Sequence, residues 1–167
     1  MADLYMFYMG GNAGRSNIEV HDVQFVACDS VEEAIPALKA AWFGDANKVH
    51  IDGYQIVNWA DGYAIDLVRE GTENGGLNLY FVNVGGYLPH QLAEAHEFGL
   101  FVAENAEAAK EKAKRSLLLH HALQHKDNLK DVDDCLLLAE VNGWQVRLRE
   151  DAQGSALPPE WQGYHPV

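Results

Sequence analysis

The sequence predicts an α+β protein of two tandem ββαββ repeats, each a mainly antiparallel sheet with one helix, packed as a pseudo-twofold pair. Three observations predict it. Displacing the chain by 75 positions sets Leu4-Tyr5 on Leu79-Tyr80, Gly10-Gly11 on Gly85-Gly86, and Glu19-x-His21 on Glu94-x-His96. Further on the displacement becomes 81, and Asp52, Gly62 and Leu67 meet Asp133, Gly143 and Leu148. Within each copy, alternating apolar residues give way to helical spacing and back again, the mark of strands flanking a helix.

The elements follow in order. Leu4–Met9 is an apolar run closed by Gly-Gly, a strand. In residues 19–28 the side chains of Glu19, His21, Val23, Phe25 and Ala27 share one face of a second strand, the expected core side. Asp29-Ser30-x-x-Glu33 is a capping box. Val31, Ala34, Ile35, Leu38 and Trp42 then recur at helical spacing, with Pro36 expected to disturb the helix and Gly44 to stop it. Val49–Val57 and Tyr63–Val68 are the third and fourth strands, joined through Asp61-Gly62. The second copy repeats the order. Its helix is expected to begin at Asn105 and run past Leu119, and its last hairpin turns on Asn142-Gly143. Each helix is expected to cover one four-stranded sheet. The units are thus 1–70 and 77–150, joined by the turn-rich, flexible Glu70–Gly76. An irregular Pro/aromatic tail, 151–167, is expected to pack across a groove.

Composition narrows the function. The chain of 167 residues is 48% apolar, which places it among globular proteins rather than disordered ones. A net charge of −13, negative in both halves, excludes a nucleic-acid footprint and an anionic membrane surface as partners. No apolar run is long enough to span a bilayer. Met1-Ala2-Asp3 does not begin a signal peptide, and Cys28 and Cys135 stand alone; both point to the cytoplasm.

Four features could carry chemistry. The pairs Glu19/His21 and Glu94/His96 lie on the core-facing row, where polar groups need partners. With His50 and Asp52 nearby on strand three, Glu19 and His21 could hold a divalent metal. Otherwise each Glu–His pair is a structural hydrogen bond, the reading favoured here. The second copy has Asp131 and Asp133 where the first has His50 and Asp52. The loop Gly10–Asn17 is not a nucleotide motif: its spacing is short, Arg15 replaces Lys, and a strand follows where a helix is required. Arg15 and Asn17 could still bind a small anion. In the run His120-His121-x-x-x-His125 near the second helix end, His121 and His125 at i, i+4 could bind a transition metal, although histidine there also suits the helix dipole. The run Lys110, Lys112, Lys114 and Arg115 reads as a solvated face, and Cys28 as a buried inert thiol.

The pattern Met9-Gly-Gly, Asn17-Ile-Glu-Val-His21-Asp22-Val-Gln-Phe-Val, Ala41-Trp-Phe-Gly44 and His50-Ile-Asp52-Gly-Tyr resembles a bacterial family, domain of unknown function family 1543. The second copy resembles it more loosely. Members with one or two copies of the domain imply the tandem architecture, and a homodimer where there is one copy; the family implies no chemistry. Two classes of function stay open. The favoured one is a non-catalytic small-ligand-binding or assembly module with a groove between the repeats, its ligand-binding candidates being Arg15, Asn17, Glu19, His21, Glu94 and His96. The alternative is a small metal-dependent enzyme using Glu19, His21, His50 and Asp52.

Overall fold

A computed structural model describes residues 1–118 and 130–167. His120, His121 and His125 lie outside the described residues. The first half contains β1 (Asp3–Gly11), β2 (Val20–Cys28), α1 (Val31–Ala41), β3 (His50–Ile56), β4 (Trp59–Ala60) and β5 (Tyr63–Val68). The second contains β6 (Asn78–Gly86), β7 (Ala95–Ala103), α2 (Ala106–Ser116), β8 (Lys130–Leu137), β9 (Glu140–Val141) and β10 (Trp144–Glu150), and β11 (Trp161–Pro166) ends the chain. The described residues form an α+β fold, with antiparallel sheets and two α-helices. No helix among the described residues is long and apolar enough to cross a membrane.

Each helix starts where the sequence places it. The Ser30 hydroxyl accepts the Glu33 N–H, the Glu33 carboxylate accepts the Asp29 N–H, and Asn105 accepts from the Ala108 N–H. Helix α1 buries Ala34 and Leu38 and continues through Pro36; α2 buries Ala109 and Ala113. Two expectations about helix ends are corrected. Helix α2 stops at Ser116, because Leu117 is extended and turns inward with Leu118 to the core beneath the helix. Gly44 is no left-handed stop: Trp42 ends α1 in extended conformation, and Gly44 is needed because a Cβ there would lie 2.3 Å from the Asn12 carbonyl oxygen.

The larger correction concerns the sheets. The four strands of a repeat do not form one sheet under one helix. Strands β1, β2 and β3 form a sheet with β11, in the order β11-β3-β1-β2, and β6, β7 and β8 form the sheet β7-β6-β8. The fourth strands leave their own halves and pair with each other in β4-β5-β10-β9. In that pairing Asp66 stands opposite Arg147, and its carboxylate accepts from Arg147 at 3.2 Å and Arg149 at 2.7 Å. The two hairpin turns also reach across. Asp61 and Asn142 both adopt φ of 50°, followed by left-handed Gly62 and Gly143, as a two-residue hairpin turn requires. Asn142 accepts the Ala27 N–H of β2, and Asp61 accepts the Val102 N–H of β7. Lys112, in the expected solvated run, instead bonds Asp61 at 2.8 Å. The linker expected to be flexible is tied to β10: Thr72 bonds Gln145, and Asn74 bonds the backbone of Val146 and Leu148.

Three cores result. Two lie beneath the helices. The third is shared, with Leu4, Ile65, Leu79, Phe81, Val146 and Leu148 among its buried members, and Val23, Phe25 and Phe98 packed against it. The strand-two face assigned to the core therefore faces the other half of the chain. The tail, expected to be irregular, forms β11 over residues 161–166 and covers the outer edge of β3.

The Asp66 contact gives a testable pH dependence. The Arg149 hydrogen bond, helped by Arg147, holds its carboxyl below the ordinary value of 3.8. The stabilisation is present above that ordinary value and is lost as pH falls through the depressed one. Because the pair is partly exposed, Asp66→Asn should cost less than about 1 kcal/mol at neutral pH. Denaturant melts of both proteins should show the difference intact near neutrality and shrinking at acid pH; a difference that grows on acidification contradicts the assignment.

Candidate functional site

The site begins with a missing side chain. Gly10, on the middle strand β1, stands opposite His21 on β2 and His50 on β3, so one row across the sheet reads His21–Gly10–His50. A Cβ on Gly10 would lie 2.6 Å from both Asp52 Oδ2 and His50 Nε2, and 3.0 Å from Glu19 Oε1. Four side chains occupy the space over this glycine. His50 Nε2 lies 2.7 Å from Glu19 Oε1 and 2.9 Å from Asp52 Oδ1. The His21 ring stands farther off, 3.7 Å from Glu19 Oε2 and 3.8 Å from Asp52 Oδ2. His50 is the one buried polar side chain among the described residues.

Asp52 arrives through a β-bulge. Tyr8 opposes Gly53 and Met9 opposes Ile51, so Asp52 is the extra residue. Strict alternation would place Gly53 on the helix side; the bulge keeps both Asp52 and Gly53 on the seam side and returns Tyr54 to the helix core. On the other edge of β3, β11 also skips Asp52: Gln162 opposes Gly53 and His165 opposes Ile51. The skipped Gly163 and Tyr164 bring the Tyr164 ring to 4.5 Å from that of His50.

One row further along, Tyr8 stacks on His21 with ring centroids 5.0 Å apart and planes 2° from parallel, and it touches Phe98 of the second half at 6.0 Å. Burial raises the Tyr8 hydroxyl pKa above 10.0, with Asp52 and Glu19 adding to the shift, so the group stays an O–H donor at neutral pH. Tyr8 and Phe98 line two cavities on the seam. One, of about 340 Å³, opens on Asp52 between Met6, Val23, Phe98 and Pro159. The other, of about 400 Å³, holds His21, Asp22, Asn83, His96 and Asp134.

The second half keeps the frame without a histidine at the His50 position. Gly85 stands between His96 on β7 and Asp131 on β8, and a bulge again falls between Val84 and Asn83, at Asp133. Glu94 and His96 approach to 3.5 Å, but their side chains are 34% and 49% exposed. The expectation that the Glu–His pairs lie on a core-facing row is corrected for both copies, since Glu19 and His21 are also 46% and 30% exposed.

The glycine loop serves its own backbone. Asp45 accepts the Gly14 N–H and donates its own N–H to the Asn12 carbonyl, and Ser16 Oγ accepts from Ala13. Arg15 and Asn17 are exposed on this loop and line neither seam cavity. Burial pushes the Cys28 thiol up to about 11, consistent with an inert thiol. The sequence reading missed the roles of Tyr8, Tyr164 and the glycine floor. Of these, only the recurrence of Gly10-Gly11 as Gly85-Gly86 was a visible signal.

Gly10→Ala tests the floor. Its methyl must displace His50 and Asp52, and overpacking of this kind costs about 1–3 kcal/mol. The melting temperature should fall by several degrees; an unchanged melt would mean that the cluster does not rest on this glycine.

The model of the family Domain of Unknown Function (DUF1543) matches residues 16–67 and 91–148, one segment in each half. The crystal structure of the protein Il1583 from Idiomarina loihiensis is similar, at 33% identity and a TM-score of 0.76, over 99% of this chain and 98% of that one. No curated protein matches. With matches in both halves, the chain belongs to the DUF1543 family and carries its domain in two tandem copies.

Proposed function

We propose that the chain is a small-ligand-binding protein built around a divalent-metal centre, held by Glu19, His50 and Asp52 with His21 at the rim. The observation that carries this is the convergence of the four side chains over Gly10. Ligand atoms of Glu19, His50 and Asp52 lie within 4.8 Å of one another. Bonds of about 2.0–2.1 Å to a tetrahedral zinc set its ligand atoms about 3.3 Å apart. The closest contacts, 2.7 and 2.9 Å, therefore need to open by only about half an ångström. Imidazole with carboxylates suits zinc and its first-row neighbours. Two carboxylates balance the charge of a dication, in a chain that carries −13 overall. The cluster also borders the groove between the halves, where a ligand has room beside it.

The same reading takes the halves as ββαββ units, 1–70 and 77–150, related by a pseudo-twofold axis with their fourth strands exchanged. The support is the register in which Asp66 faces its own counterpart Arg147, and the reciprocal contacts of Asp61 and Asn142. In the second copy Asp131 stands where His50 stands in the first, so the metal is assigned to the first copy alone.

Zinc titration of protein purified without nickel and stripped by chelator tests the proposal. One equivalent should bind. Free zinc at a hundredfold excess over Kd should stabilise the fold by about 2.7 kcal/mol. Asp52→Asn and His50→Ala should each weaken binding by at least about 100-fold, more than the 10–100-fold loss typical of an outer-shell partner. A melt unmoved by zinc or chelator, or zinc binding undiminished in both variants, would sink the proposal.

A further inference from the structure

We infer that the groove beside the cluster takes a small molecule with a planar apolar body and an oxygen-donor chelating head, the head closing on the metal. This rests on the metal centre proposed above. In the three-residue set, Glu19, His50 and Asp52 are drawn together, while His21 stands about 1 Å farther away and is held flat against Tyr8. Three protein ligands leave a coordination position open, as in sites that exchange ligands rather than merely hold a fold. Tyr8 lines the cavity beside Asp52 and supplies a hydroxyl that can donate to a ligand oxygen.

The cavity sets the body of the molecule. Its volume of about 340 Å³ is at the small end of ligand pockets, room for a single ring with its head group. Its walls include Met6, Val23, Pro159 and the rings of Tyr8 and Phe98, with Gln55 and Gln162 among the polar lining. Such walls favour an aromatic plane. The charge sets the head. Asp52 is the only charged residue among the described lining, and no lysine or arginine is there to meet an anion. An oxyanion can therefore be bound only through the metal. A cationic head would compete with that metal for the Asp52 carboxylate.

The test uses the full chain loaded with Co2+, whose visible absorption reports coordination, and three probes: benzohydroxamate, acetohydroxamate and benzylamine. Both hydroxamates should shift the cobalt band, and benzohydroxamate should half-saturate at a concentration at least about tenfold lower, because its ring is removed from water. Benzylamine should leave the band unchanged. Phe98→Ala should abolish the advantage of the ring. Gln162→Trp, at an exposed position on the cavity rim, should do the same by filling the cavity without truncating the core. Equal affinity for the two hydroxamates overturns the inference and leaves the metal centre standing. Displacement of cobalt by benzylamine overturns it in favour of a cationic ligand. A chain that binds no cobalt removes the metal centre, and this inference with it.

Discussion

The site depends on a hydrogen atom where every other residue would have a carbon. Gly10 sits between two histidines on neighbouring strands, and any Cβ there would occupy the space of His50 and Asp52. With that space open, a buried imidazole lies over the sheet and finds two carboxylates. Buried polar groups must be satisfied, and one left without a partner costs about 1–3 kcal/mol. The cluster sets both carboxylates against His50 Nε2, at 2.7 and 2.9 Å, and so has nearly the spacing of a metal site. The bulge at Asp52 completes it, because it keeps His50, Asp52 and Gly53 on one side while Ile51 and Tyr54 stay with the helix core.

The wider fold places this cluster beside a groove. The exchange of β5 and β10 fixes the halves against each other, and Asp61 and Asn142 pin each turn to the opposite half. The seam that results is apolar near Phe25, Phe81 and Phe98 and becomes polar toward Tyr8 and the histidines. Duplication therefore does more than enlarge the core. It sets an apolar wall from one copy against the charged cluster of the other, and the copies differ at its centre: the first has the buried His50 where the second has Asp131.

Local pattern carried much of this into the sequence. Period-two alternation put Glu19 with His21, and His50 with Asp52, on common faces, and capping residues located both helix starts. Glycine was misread where its role depends on distant residues: Gly44 is held by the Asn12 carbonyl and not by a helix stop. The exchange of fourth strands was not legible, since β5 has the same alternation whichever strand it pairs with. A bulge leaves no mark in a strand as short as β3, so the sides taken by Gly53 and Tyr54 after Asp52 are not legible. Glu94 and His96 were placed on the right face and the wrong depth, because alternation gives the side of a strand and not the distance from its open end. The tail's aromatics are visible in the sequence, yet only the free edge of β3 explains why Trp161–Pro166 become a strand.

Diffraction from zinc-soaked crystals, recorded on either side of the zinc absorption edge, tests the central claim most directly. One strong anomalous peak is expected within bonding distance of Glu19, His50 and Asp52, above Gly10, with His21 at its side. Zinc-loaded crystals whose peaks lie elsewhere, for instance beside His120, His121 and His125, with the Glu19–His50–Asp52 contacts still closed, would contradict it.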